Sequence, residues 1–512
     1  MPDFTYTIVY LSEIPVSLHH PDRARRQRKS DPTMKLLLAP LLLPLLPFVS
    51  LAQPLELGTR RELFVDRFLI ESLHGAELKL HTPLERGVAF AFDRTHEGAF
   101  CGYVSIVPPP GGGFRAYYRG LPLPGKDGST NELTAYAESR DGVAWTKPAN
   151  NVVLRDAAPV THNFSVFVDT RADAPPAERW KAIGGTRESG LIRYVSADGV
   201  TWRKFADGAP LLPPVKAYRY DSQNLAFWSE AERRYVCYFR TFVDVPGRTT
   251  KVRWVARASS PDFRTWTEEG DMTFRAADGT AAEPEHLYTN QTSPYPRAPH
   301  LYLAIAARFL PKRQVLNAEE AKAVNVDPAY FGDISDTILM STRGGTTFDR
   351  TFMEGFVRPG IGHENWTSRT NYPALNVIQT GPAEMSFFVQ RQYGQPGHHL
   401  ARYSVRLDGF ASLHAGYAGG EMVSKPFRFS GRSLEVNYAT SAAGSLRLEL
   451  QDEAGRALPG YALAESREIV GDEVARSVSW TGRTNVSALA GQIVRLRVAL
   501  KDADLFSFRF RE

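Results

Sequence analysis

Ser139-Arg140-Asp141-Gly142-Val143-Ala144-Trp145 is the stretch that decides the fold, because it returns as Ser196-Ala-Asp198-Gly199-Val-Thr-Trp202 and as Ser260-Pro-Asp262-Phe-Arg-Thr-Trp266. A weaker copy reads Thr342-Arg-Gly344-Gly345-Thr-Thr-Phe348, and a remnant survives as Asp408-Gly409-Phe410. Steps between the equivalent positions 141, 198, 262, 344 and 408 are 57, 64, 82 and 64 residues. A unit of that size holds one four-stranded blade, so five copies predict an all-β chain with a five-bladed β-propeller. The phrase itself suits a tight turn. Aspartate folds its carboxylate onto nearby backbone N–H groups, glycine takes φ > 0, and the aromatic packs the turn between sheets. Asp141, Asp198 and Asp262 are therefore read as structural.

Working outward, each repeat divides into an inner strand, a second strand, a third strand and the turn. Inner strands are expected near Phe100–Val107, Phe164–Val168, Asn224–Trp228, His286–Thr289 and Ala374–Ile378, on their alternation and β-branched or aromatic content. The longest departure is residues 311–329, where Leu316-Asn-Ala-Glu-Glu-Ala-Lys-Ala-Val predicts a short helix inserted over one face. After Gly419-Gly420 the runs shorten, as in Leu434-Glu-Val-Asn-Tyr438 and Val494-Arg-Leu-Arg-Val498. Turn signals separate them, which predicts a β-sandwich. The expected organisation is an N-terminal extension and signal peptide over 1–52, the propeller over 53–419 and the sandwich over 420–512.

Composition agrees. The chain of 512 residues is 43% hydrophobic and 11% aromatic, with 40 Gly and 35 Pro, enough for a large core built from short strands and turns. Cys101 and Cys237 are too few for a disulfide framework and lie in apolar runs, so buried free thiols are expected. Met34-Lys35, the uncharged run Leu36–Ala52 and the end Ser50-Leu51-Ala52 read as a secretory signal, with Met34 or Met1 as the start. Pro40, Pro44 and Pro47 argue against a retained membrane span. The formal charge is +5, of which residues 1–35 supply +2. No long basic run remains, so nucleic-acid binding has no support.

A secreted five-bladed propeller followed by a β-sandwich resembles the glycoside hydrolases that include invertases, levansucrases and arabinanases. Glu62-Leu-Phe-Val-Asp-Arg-Phe-Leu-Ile70 and Tyr403-Ser-Val-Arg-Leu-Asp-Gly-Phe410 carry the likeness to proteins placed loosely beside the family 32 N-terminal domain. The turn phrase is also similar to the Asp-box of sialidases. The resemblance implies a glycosidase, a carbohydrate substrate, and catalytic carboxylates where inner strands begin. Those positions hold His96-Glu97, His162-Asn163, Asp221-Ser222-Gln223-Asn224, Glu285-His286 and His363-Glu364-Asn365 followed by Arg369. Glu97, Asp221 and Glu285 are the catalytic candidates. The invertase signatures Trp-Met-Asn-Asp-Pro, Arg-Asp-Pro and Glu-Cys are absent, and blade two supplies no acid, so the carry-over is by position. Glycoside hydrolysis needs one carboxyl kept protonated and one ionised across a sugar ring.

A second regularity comes from the residues alone. Every second strand ends in arginine: Arg119, Arg187, Arg240, Arg308 and Arg391. Strands that return towards the inner-strand starts would set these guanidiniums round the mouth, and their planar fork favours carboxylate or sulfate groups on a sugar. Pairing with acids such as Glu97, Glu188 and Asp221 is the competing use. His96, His162, Asn163 and His286 are read as polar lining, and Trp366 with Tyr103, Tyr220, Tyr288 and Tyr372 as stacking platforms or core. No close-spaced histidine pair points to a metal, and no cofactor is expected. A propeller that binds glycan without catalysis and a sialidase-like hydrolase stay open beside the hydrolase reading, and the oligomeric state is not legible.

Overall fold

The computed structural model describes residues 53–512 apart from 125–127 and 206–207; the expected targeting segment lies outside the described residues. The turn phrase folds as its chemistry dictates. Asp141 Oδ1 accepts from the N–H groups of Val143 and Ala144 at 2.8 and 2.9 Å, and the Trp145 indole donates to the Gly142 carbonyl. Asp198 accepts from Val200 and Thr201 at 2.8 Å, and Asp262 from Arg264 and Thr265 at the same distance. The turn needs φ > 0 at its fourth position, which Gly142 and Gly199 supply at 76° and 75° and Phe263 supplies at 64°.

These turns join strands of five radial sheets. Blade one runs from Gly102–Val107 through Phe114–Gly120 and Leu133–Ser139 to Val152–Leu154. Blades two and three have inner strands Ser165–Val168 and Leu225–Ser229. Blade four starts with His286–Thr289 and Thr292–Tyr295, and blade five with Tyr372–Pro373 and Ile378–Gly381. Inner strands of blades one and five meet through a parallel bridge between Ser105 and Leu375, so the ring closes. The outermost strand of blade five is Leu84–Ala91, antiparallel to His399–Arg406. The ring is thus latched by its own N-terminal strand.

The segment before that strand behaves differently from the reading that began the propeller at residue 53. Ile70–His74 pairs with Gly420–Ser424, Glu77–Leu80 with Ala411–Ala415, and Glu62–Leu63 with Arg495–Arg511. These strands, with Ser433–Gln451 and Asp472–Ser477, form one eight-stranded sheet. Its core gathers Leu57, Phe64, Ile70, Leu434, Trp480 and Phe510. Residues 54–512 form one compact unit. Leu63, Val65, Phe387 and Phe410 share a core, which joins blades four and five to that sheet.

The degenerate turns are the ones that face this seam. Arg343, in the blade-four copy, pairs with Glu62 at 2.8 Å and Asp66 at 3.0 Å. Asp408, in the blade-five remnant, is fully buried and accepts from Tyr295 at 2.6 Å, Arg297 at 2.8 Å and Ser507 at 2.7 Å. A turn that packs against another sheet is closed by that contact rather than by its own carboxylate. The helix expected in the insertion is present as α1 (Ala318–Ala323), capped by Asn317 and Glu320 in a reciprocal box. Cys101 and Cys237 are buried and unpaired. Among the described residues, no helix is long and apolar enough to cross a membrane.

Candidate active site at the funnel mouth

The inner strands begin in strained backbone. Tyr103, Tyr220, Arg369 and Asn371 have φ of 55°, 66°, 58° and 73°, a region that side chains with a Cβ rarely occupy. Such outliers persist only where surrounding contacts over-determine them, and they cluster at ligand sites. Here the fixing contacts are identifiable. Asn163 donates to the carbonyls of Tyr220 and Ser222 at 2.7 and 2.8 Å, and Asn371 donates to those of Ser335 and Asn365 at 3.0 and 3.1 Å.

Deeper in, amides tie the five blades together across the axis. Gln223 donates to Ser105 Oγ at 2.9 Å and lies 3.5 Å from Ser165 Oγ. Gln291 donates to Gln223 Oε1 at 2.7 Å and to the Pro373 carbonyl at 2.8 Å. Ser105, Ser165, Gln223 and Gln291 are all buried. Each blade contributes one member, and the network forms a polar floor.

Above the floor, two guanidiniums converge. Arg119 donates to the Tyr393 hydroxyl at 3.2 Å and Arg369 to the same oxygen at 3.5 Å. Arg119 also donates to the Phe100 carbonyl at 3.0 Å, lies over the Tyr103 ring at 4.8 Å, and is 3.7 Å from Glu132. Arg369 stands between the rings of Tyr288, Tyr330 and Tyr393 at 5.0–5.8 Å. Among the described residues, no carboxylate lies within ion-pair distance of Arg369. The mouth stays reachable because Tyr103, Tyr330 and Arg369 are only half-buried.

Two carboxyls flank this cluster. Asp221 pairs with Arg240 at 3.3 Å, and Arg240 lies 4.7 Å from the Tyr288 ring. Asp333 comes from the insertion that carries α1, whose Tyr330 carbonyl accepts from the Ser368 N–H at 2.8 Å. Its Oδ1 is buried with no hydrogen-bond partner, as is the Tyr372 hydroxyl. Burial pushes the Asp333 carboxyl above its ordinary value, against the opposing pull of Ser368, Arg369 and Arg253. Each such buried, unsatisfied polar atom calls for an explanation.

The residues expected from sequence separate into four groups. Asp221, Arg119, Arg240, His162 and Asn163 belong to the mouth; His162 Nδ1 lies 2.7 Å from Glu132. Glu285, His286, Arg308 and Trp366 line a rim pocket of about 720 Å³. There Arg308 joins Glu285 at 2.8 Å to Asp336 at 2.5 Å, and Arg350 holds the other Glu285 oxygen at 3.0 Å. Burial, then Arg253, Arg248 and Arg240, lowers the His286 imidazole to about 4.

Glu97 and His96 sit in blade one. Glu97 is 0% exposed and accepts from Tyr118 at 2.6 Å, Lys147 at 2.5 Å, Asn151 at 3.1 Å and the Arg94 N–H at 3.2 Å. His96 meets Asn151 at 2.9 Å. That carboxylate is saturated and sealed, so the geometry gives it a structural ion pair rather than the catalytic role read for it. The remaining arginines do not complete a ring. Arg187 is half-buried and paired with the exposed Glu188 at 2.7 Å, and Arg391 is buried, bound to Asn371 and the Pro359 carbonyl. Sequence reasoning missed Asp333, which has no counterpart in the repeat. Among the described residues, no group of three potential metal ligands is assembled.

No family model and no curated protein sequence matches the chain. Solved structures do. One described as a glycoside hydrolase shares 12% identity over 64% of this chain and 92% of its own, with a TM-score of 0.44. An N-acetylgalactosamine deacetylase from F. plautii, in complex with blood group B trisaccharide, shares 13% over 65% and 96%, at 0.44. A Bombyx mori family 32 β-fructofuranosidase in complex with sucrose shares 12% over 84% and 94%, at 0.35.

Proposed function

We propose that the chain is a secreted glycoside hydrolase acting on an anionic glycan at the funnel mouth. The observation that carries the reading is the convergence of Arg119 and Arg369 on the single hydroxyl of Tyr393, with Glu132 3.7 Å from Arg119 and, among the described residues, no carboxylate within ion-pair distance of Arg369. Arg369, half-buried and with no such partner, can bind a ligand carboxylate or sulfate through its fork, and the buried Arg119, paired with Glu132, adds positive charge behind it. Tyr103, Tyr288 and Tyr330 offer ring faces for a sugar. Asp333, whose carboxyl burial holds above its ordinary value, is the acid that protonates the leaving oxygen, and Asp221, paired with Arg240, is the second carboxyl. The C-terminal sheet, read as a sandwich, braces blades four and five.

The test is sugar release from neutral, uronic and sulfated glycans by the purified protein, beside D333N and D221N. Release confined to acidic glycans, reduced roughly 10²–10⁴-fold in each variant with the melting temperature kept, is expected for an acid and its partner. Full activity in both variants would remove the assignment.

A binding propeller without catalysis is the second reading, favoured by the sequestration of Glu97 and the double pairing of Glu285. It predicts glycan binding with no release by the wild-type protein. The sialidase-like reading calls for three arginines on one point with a tyrosine–glutamate pair beneath. Two arginines meet at Tyr393, and the pair Tyr118–Glu97 is sealed inside blade one.

A further inference from the structure

We infer that the rim pocket on blade four, bounded by the blade-three loop of Arg248 and the segment leading into blade five, is a second, separate anion-recognising subsite, for the charged substituent of a neighbouring sugar unit along the chain. The inference rests on the glycan reading of the mouth and adds to it a site built from other residues. The pocket, about 720 Å³, is lined by four arginines, Arg248, Arg308, Arg313 and Arg358, against Glu283, Glu285 and Asp336. Glu285 and Asp336 are consumed by Arg308 and Arg350. What remains without a carboxylate partner, among the described residues, is Arg248, Arg313 and Arg358, with Glu283 alone opposing them.

All three arginines are exposed, so their forks are free to turn inward. Arg248 is steadied by the Pro284 carbonyl at 2.6 Å. Trp366, half-buried and fixed through its indole N–H to the Gly360 carbonyl at 2.9 Å, supplies a flat wall. The pocket adjoins the mouth along two short stretches of chain. His286 lies in the pocket and Tyr288, two residues on, stands against Arg369. Asp336 lies in the pocket and Asp333, three residues back, feels the charge of Arg369. A glycan chain seated in the mouth therefore has its next units over this pocket. Carboxylate and sulfate esters share the chemistry that three unpaired guanidiniums recognise.

The test is calorimetric titration of the full protein and of its R248Q/R313Q/R358Q variant. Four probes serve: galacturonic acid, a galacturonate tetramer, a sulfated chondroitin tetrasaccharide and a neutral galactan tetramer. Exposed positions leave the fold intact, which melting curves check. The expected result is that a charged tetramer binds the wild type at least 10-fold tighter than the monomer does, that this margin shrinks with salt, and that it vanishes in the variant while monomer binding stays. Whichever charged tetramer keeps the margin names the substituent. Equal binding of charged tetramers by the two proteins overturns the subsite and leaves the mouth reading standing. No binding of any probe by the wild type overturns both.

Discussion

Glu97→Gln separates a structural carboxylate from a catalytic one. The substitution leaves the Lys147 ammonium, itself only 10% exposed, facing an amide on its buried side, with the exposed Asp93 carboxylate at 2.8 Å as its remaining anion. Removing one partner of a buried ion pair costs up to about 3–5 kcal/mol, less where a second carboxylate remains. The expected outcome is a large fall in melting temperature, with kcat of the folded fraction unchanged. A well-folded, inactive variant would restore Glu97 to the chemistry. Asp333 makes the opposite forecast. As an acid that works protonated, it confers activity that is lost as pH rises through its elevated pKa. A pH profile of the wild type should therefore show an alkaline limb that disappears, with the rate, in D333N. Of the residues at the mouth, the positions of Asp221, Arg119 and Arg240 were legible because the repeat fixes their register. Arg369 was visible only as a neighbour of a motif, since its left-handed backbone is held by a bond from the Gln390 side chain, on another strand, to its carbonyl at 2.8 Å.

At the scale of elements, the insertion bearing α1 holds Tyr330 and Asp333 in place. Leu316, Ala321 and Val326 pack as a small core against Tyr330 and Trp366. The Asn317 side chain accepts from Glu319 and Glu320 N–H groups at 2.9 and 3.0 Å, and Glu320 returns a bond to the Asn317 N–H at 2.9 Å. Losing such a cap costs about 1 kcal/mol. N317A should speed amide exchange over residues 316–333 by about fivefold with little change in global melting; unchanged exchange would show that the core, not the cap, sets the order of this segment. Blades were legible because a turn of seven residues carries its own geometry. The pairing of residues 55–80 with the C-terminal sheet was not, because partnership between distant strands leaves no local period. The decay of the phrase in blades four and five was the available clue, and it marks where that sheet lies.

Across the whole molecule, the seam is a belt of buried charge. Burial pushes the Glu62 carboxyl up, but Arg343, His300 and Arg60 outweigh it and hold it at about 2, and Asp408 is likewise lowered by Arg297 and Arg61 against its burial. Folded values below the unfolded ones mean that the stabilisation is complete above the ordinary value of 4.5 for Glu62 and is lost as pH falls towards 2. Melting temperatures should hold from pH 6 to 4.5 and then drop. In E62Q the acid-dependent part of that drop should shrink; an identical slope would place the acid sensitivity elsewhere.

The latch strand has a consequence for synthesis. Phe90 pairs with Leu400, 310 positions later. A chain emerging from the ribosome can stack its blades in order, yet its first blade strand waits unpaired until nearly four-fifths of the chain has been made. Until then the growing ring is an open crescent with two raw edges, able to accept a strand from a neighbour as readily as its own. Circularity is therefore the last property the propeller acquires, and the one most exposed to crowding with other copies.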